Sequence, residues 1–315
     1  MVSDSSVRLA GWTSLRGREQ YVNAYRRAQE LWEAPVEDWE IPTRFGTTHA
    51  LVSGPADAPP MLLLHAAFNT GAIQWYPNVG RLSQRRRVVA LDFVGAPGLG
   101  EQTIAILDRA DCAGWLSDVI DSLDLDTVDL VGSSHGGWLA LNLAVARPER
   151  VRRLALLAPA ASFRPFRRGA IFSIRLGPFM PGWTAGPSLR AIFGGRHRVD
   201  ERIVALLATS LRHYRFQQRP VYPDVFSDEE LRSVRALTLV MFGDKEIIYD
   251  PIPALERAES LIPAAQTELV PDAGHLLNIE QPELVDRRLL TFLGSGRPEA
   301  PGVASGSSPQ HRLTP

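Results

Sequence analysis

The sequence predicts an α/β fold: a mostly parallel sheet flanked by helices, carrying a helical cap as an insertion. Three observations predict it. Short apolar runs rich in Val and Leu recur at 61–66 (MLLLHA), 86–93, 127–133, 151–159, 237–243 and 266–272. Runs lacking polar alternation belong to strands buried on both faces, as in parallel sheets. Most of them are separated by helical stretches at 108–123, 136–147, 252–262 and 282–293, the alternation that puts helices over both faces. Finally, the interval from Pro159 to Leu237 is far too long for a simple crossover. It must hold an extra unit.

The remaining elements follow in chain order. Residues 18–33 read as an amphipathic helix with Tyr21, Tyr25, Ala28, Leu31 and Trp32 near one face. Residues 38–53 read as an antiparallel strand pair around Gly46, polar enough for a sheet edge. Within the insertion, helices are expected at 167–176, 188–194 and 200–216. From Gly294 onward the chain is Gly, Ser and Pro without periodicity, the composition of a disordered tail. The expected division is a helical extension over 1–37, a core over 38–159 and 231–293, a cap over 160–230, and a tail over 294–315.

Composition narrows the function classes. Apolar content of 45%, charged content of 22% and a net charge of −1 describe an ordinary soluble globular protein with no electrostatic case for nucleic acid. A single cysteine, Cys112, excludes a disulfide framework and a multi-cysteine metal site. No HExxH pattern is present, and no cofactor is called for. The first residues lack a charged region leading into an apolar one, and no apolar run reaches the ~18 residues of a membrane span. A cytoplasmic protein without a membrane span is expected. Only Lys245 among 34 basic residues is a lysine, so arginine excess reflects coding bias before function.

The chemistry concentrates at Gly132-Ser133-Ser134-His135-Gly136, where an apolar strand runs straight into a helix. A GxSxG stretch in that context forms a nucleophile elbow, whose flanking glycines permit a turn that a β-carbon would obstruct. Ser134 would then project from the carboxyl edge of the sheet, and Ser133 would point into the turn. The His135 amide would lie at a helix N-terminus, where unpaired donors suit an oxyanion. A serine needs a base to take its proton. His275, following Gly274 after the last strand, is the best placed of seven histidines. The acid should follow the strand at 237–243, which offers Asp244, Glu246 and Asp250. Strand-end geometry favours Glu246, with Asp250 second and Asp244 capping the turn. Serine, acid, histidine is the chain order of an α/β-hydrolase.

With these motifs in view, the sequence resembles the α/β-hydrolase superfamily. It is similar in particular to bacterial carboxylesterases of the NP type, through WYPNV, PERV, VFSDEELRS and EIIYDP, from about residue 40 to 293. The resemblance implies an α/β-hydrolase fold with Ser134 as nucleophile, His275 as base, Glu246 as acid (Asp250 the alternative), and the Ala67 and His135 amides as oxyanion donors. His65 would buttress the loop structurally. Two departures stand out: Ala66 occupies the place of a usual glycine, and Glu246 that of a usual aspartate. Phe68, Trp75 and Trp138 are expected near an apolar substrate pocket, although the tryptophans would serve equally in the core.

The expected activity is hydrolysis of a small hydrophobic carboxylic ester through an acyl-enzyme. The alternatives are a tailoring thioesterase, lactonase or cyclase on the same residues, or a noncatalytic binder retaining the fold. Perhydrolases share the serine motif, whereas dehalogenases and epoxide hydrolases place Asp at the elbow. Residues 160–219 hold eleven arginines against Asp200 and Glu201, among many aromatics. The plain reading is a helical lid; the sharper one is a cap for an acidic substrate or an acidic carrier protein.

Overall fold

The six apolar runs become six parallel strands that end at one edge. The computed structural model describes residues 7–167 and 199–294. The strands are β4 (Pro60–Leu64), β5 (Arg87–Leu91), β7 (Val128–Ser133), β8 (Val151–Leu157), β10 (Leu237–Gly243) and β11 (Ala265–Val270). Their order across the sheet is β11-β10-β8-β7-β4-β5, continued by the antiparallel β3 (Gly46–Ser53) and β2 (Glu37–Thr43). Register aligns their ends: Leu64 lies opposite Gly132, Ser133 opposite Leu157, Leu157 opposite Met241, and Gly243 opposite Val270. Every loop leaving these ends therefore opens on the same rim, where open α/β sheets place their ligands.

The helices cover both faces as the alternation requires: α3 (Arg109–Ser122), α4 (His135–Ala146), α7 (Pro251–Leu261) and α9 (Pro282–Gly294) match the expected stretches within two residues. Each burial pattern has a local cause. In α4, nine consecutive residues from Gly136 to Ala144 are buried, because this helix lies between the sheet and α3 and has almost no wet face. Among the described residues, no helix is long and apolar enough to cross a membrane.

Several elements differ from the sequence reading. The strand pair at 38–53 is present, but only β2 is an edge. The apolar half of β3, Ala50 to Ser53, pairs with β5 and is fully covered. Helix α2 (Gly71–Leu82) was hidden by an internal Pro77 and two glycines, residues that weaken any helical signal. It is nucleated by Thr70, whose hydroxyl accepts from the Ile73 amide. The strands β1 (Gly11–Trp12), β6 (Glu101–Gln102) and β9 (Tyr214–Arg215) are too short to carry periodicity. Two further short helices, α6 (Asp228–Ser233) and α8 (Leu277–Glu280), were also missed.

Of the insertion, the helix expected at 200–216 is α5 (Glu201–His213). The helices expected at 167–176 and 188–194 lie outside the described residues, as does the tail after Gly294. The N-terminal helix α1 (Leu15–Gln29) packs on α5, and β1 pairs with β9. Tyr21, Tyr25, Ala28 and Trp32 are buried as the amphipathic pattern requires, with Leu31 partly buried.

One buried carboxyl opposes the general pattern of paired charges. Asp286 on α9 is fully buried; its Oδ1 accepts from Asn78 Nδ2 at 2.8 Å, and its Oδ2 has no partner among the described residues. Burial pushes this carboxyl up to about 7, overcoming the Asn78 hydrogen bond and the attraction of Arg81. Because the folded chain holds the proton more tightly, its contribution to stability is complete below 3.8 and is lost as pH rises to about 7. Asp286→Asn should therefore gain in melting temperature relative to the parent as pH rises from 4 to 8. Melting curves whose gap stays constant across that range would exclude an ionising Asp286.

Candidate active site

The rim is organised by an unusual turn. Ser134 joins β7 to α4 with φ 51° and ψ −114°, a backbone conformation that side chains other than glycine rarely adopt. Three hydrogen bonds hold it: its amide donates to Leu157 O at 2.9 Å, and its carbonyl accepts from Trp138 N at 3.1 Å and Ala160 N at 2.9 Å. The glycines on either side are sterically required. A β-carbon on Gly132 would lie 2.3 Å from Gly136 O, and one on Gly136 would lie 2.4 Å from Leu64 O. Strain gathers at this edge: Phe68, Ala158, Ala161 and Asp272, in loops leaving β4, β8 and β11, also have positive φ.

The turn presents the Ser134 hydroxyl to His275, whose Nε2 lies 2.8 Å from Ser134 Oγ. On the other side of the ring, His275 Nδ1 lies 2.7 Å from Glu246 Oε2. Three residues far apart in sequence thus form one hydrogen-bonded chain, all nearly excluded from solvent at 8%, 4% and 5% exposure for Ser134, His275 and Glu246. The Glu246 carboxylate is fixed by a second bond, since its Oε1 accepts from the Ile248 amide at 2.8 Å. Such a bond orients the carboxylate, and the carboxylate in turn selects the imidazole tautomer with its proton on Nδ1. The free Nε2 can then accept a proton from the serine.

The loop after β4 closes the opposite side. His65 Nδ1 is 2.8 Å from Ala66 O, and its Nε2 accepts from the Phe93 amide at 2.9 Å. Burial keeps its pKa below the usual value even though Asp92 pulls the other way. Ala66 O also accepts from the Asn69 amide at 3.1 Å, so residues 66–69 form a tight turn. Ala67 sits exposed in it, and neither its amide nor that of His135, the first residue of α4, has a hydrogen-bond partner among the described residues. The His135 ring lies between Phe93, edge-to-face at 5.5 Å, and Trp138, stacked at 6.1 Å. Burial, assisted by nearby His65, brings its pKa down to about 4, so it adds no charge beside Ser134 at neutral pH.

The structure brings together Ser134, His275 and Glu246 and leaves the other candidates elsewhere. Asp250 is exposed at the start of α7 and, among the described residues, makes no hydrogen bond to the ring. Asp244 accepts from the Ala273 amide at 3.2 Å, joining the loop after β10 to the loop after β11. Ser133 is fully buried and accepts from Gln74 Nε2 at 3.2 Å. Of the aromatics expected at a pocket, Trp75 and Trp138 instead belong to the core, both at 0% exposure; the Trp138 indole donates to Asp224 O. Phe68 is partly exposed and meets Phe216 edge-to-face at 5.4 Å. The sequence reading missed Tyr249, whose ring lies 5.9 Å from that of His275, and the buried amides of Gln74 and Asn278. Single polar residues inside apolar helices give no periodic signal.

Comparison with known proteins agrees with this architecture. Residues 61–288 match the Alpha/beta hydrolase family. Carboxylesterase YbfK of Bacillus subtilis is 36% identical over 315 residues, covering 94% of this chain and 99% of that protein. The crystal structure of the same carboxylesterase superposes with a TM-score of 0.84 at 35% identity, covering 90% of this chain and 100% of the other. That of naproxen esterase (carboxylesterase NP) from Bacillus subtilis gives a TM-score of 0.83 at 34% identity, covering 88% and 98%. With most of its length matched, a GxSxG turn at the rim and the strand order described, the chain belongs to the α/β-hydrolase family.

Proposed function

We propose that the chain hydrolyses carboxylic esters through an acyl-enzyme formed on Ser134. The observation that carries this reading is the buried chain from Ser134 Oγ through the His275 ring to Glu246. His275 Nε2 removes the serine proton as Oγ attacks the ester carbonyl, and Glu246 balances the imidazolium that forms. The carbonyl oxygen gains charge and is met by the Ala67 and His135 amides, the latter at the N-terminal end of α4. The imidazolium then protonates the leaving alcohol. Water, activated by the same ring, attacks the acyl-enzyme and restores Ser134.

The relatives that bear the names carboxylesterase and naproxen esterase support carboxylic esters as the substrate class. Phe68 and Phe216 beside the turn support a hydrophobic one. Thioesters and lactones pass through the same acyl-serine, so a panel of all three classes at equal acyl size ranks them directly. The arginine-rich part of the cap bears on an acidic substrate or carrier, but five of its eleven arginines lie outside the described residues.

Two mutant pairs test the assignment. Ser134→Ala should lower ester turnover on the order of 10³-fold or more. Ser133→Ala should lose no more than about 3- to 10-fold, about the worth of the one bond its hydroxyl accepts from Gln74. A dead Ser133 variant beside an active Ser134 variant would overturn the choice of nucleophile. For the acid, Glu246→Gln should reduce kcat by about 10²-fold or more, because the amide misdirects the ring and cannot balance its charge. Asp250→Asn should stay within about twofold, as expected for an exposed side chain that makes no hydrogen bond to the ring among the described residues. Equal losses in the two carboxylate variants would remove Glu246 from its role.

A further inference from the structure

A glutamine in the middle of the core requires an account, because burying an amide is unfavourable unless its donors and acceptor are satisfied. Gln74, on α2, is completely buried and uses its amide fully. Its Oε1 accepts from the Ala66 amide at 3.3 Å and from Asn69 Nδ2 at 2.6 Å. Its Nε2 donates to Ser133 Oγ at 3.2 Å and to Asn278 Oδ1 at 2.9 Å. Asn278 replies by donating to Gln74 O at 2.7 Å and to Asn78 Oδ1 at 3.0 Å. Asn78 donates in turn to Asn278 O at 3.0 Å.

The partners are informative. Ala66 precedes Ala67, Ser133 precedes Ser134, and Asn278 follows His275 by three residues. One side chain therefore touches the three chain segments whose relative placement sets the site. A second contact joins two of them: the Ala66 methyl packs against Leu276 in a small cluster apart from the main core. The turn it supports includes Phe68 at φ 63°, a conformation that needs external restraint. A leucine would fill the same volume without fixing register, whereas a fully satisfied amide selects one arrangement of its neighbours.

We propose that Gln74 is a positioning residue: it holds the 66–69 turn, and with it the Ala67 amide, in register with Ser134 and the His275 segment. The role rests on the reading of Ser134 as nucleophile. Gln74 acts through these neighbours and touches no reacting atom.

The test counts working sites separately from their speed. Wild type, Gln74→Met, Gln74→Glu and Asn69→Ala are titrated to completion with a fluorophosphonate, and p-nitrophenyl butyrate hydrolysis is expressed per titrated site. Gln74→Met should lower kcat per site roughly 10- to 100-fold with KM within about twofold, as for a donor displaced by a fraction of an ångström. The midpoint of the kcat/KM pH profile should not move, because the base is untouched. Gln74→Glu keeps an oxygen facing the turn and should recover part of the loss. Should the methionine variant fail to fold, Asn69→Ala, which removes one bond at the outer end of the network, should still lower kcat per site by roughly 3- to 10-fold, about the worth of one hydrogen bond. Variants that lose sites but keep wild-type turnover per site would reduce Gln74 to a packing role and overturn the proposal. Normal titration of the wild type with unchanged variant turnover overturns the Gln74 role alone; a wild type without a titratable serine overturns both readings.

Discussion

Everything at the rim depends on the backbone of Ser134. With φ at 51° the chain turns from strand to helix within one residue and leaves the hydroxyl projecting where a regular turn would bury it. A strained residue of this kind is less stable by about 1–3 kcal/mol and persists only where its surroundings over-determine it. Here β8 supplies Leu157 O, the start of α4 supplies the Trp138 amide, and the segment after β8 supplies the Ala160 amide. The parallel sheet is thus a clamp as well as a scaffold. Without Gly132 and Gly136 the helix could not approach β4 closely enough for the clamp to close.

The same edge shows how electrostatics are divided between titrating and silent groups. His65 and His135 are kept neutral by burial, and both serve the structure. The first braces the turn after β4, and the second fills the space between Phe93 and Trp138. Among the described histidines, His275 alone has a carboxylate on one ring nitrogen and a serine on the other. Away from the rim, His49 shows the opposite balance. Burial would lower its pKa, but Asp92 and Asp38 outweigh that and hold it above the usual value. Three imidazoles thus differ by their partners from His275, the one among the described histidines that faces Ser134 Oγ.

How much of this the sequence disclosed follows from how local each signal is. Most of the parallel strands are largely apolar, so their positions could be read directly, although β8 carries Arg152 and Arg153 and the edge strand β11 carries Gln266, Thr267 and Glu268. Ser134 and His275 were legible because glycine punctuation and strand ends are local features. Choosing Glu246 over Asp250 required knowing how the loop after β10 folds, and strand-end geometry gave only a preference. Helix α2 was concealed by Pro77, whose missing N–H is tolerated because tertiary packing holds the helix. The edge position assigned to the first strand pair was half right: polarity marked β2 correctly, but β3 changes character halfway along, from Gly46-Thr47 to the buried Ala50–Ser53. The polar network around Gln74 was invisible because its bonds join residues up to 204 positions apart. Trp75 and Trp138 were ambiguous between pocket and core for the same reason, and packing decided for the core.

The central claim is that Ser134, and no other residue, becomes the covalent nucleophile. Peptide mapping by mass spectrometry after treatment with a fluorophosphonate tests it most directly. A single phosphonyl adduct on Ser134, formed by native protein and absent after unfolding, is the predicted result. An adduct on Ser133 or elsewhere, or none on folded protein that hydrolyses esters, would contradict the account.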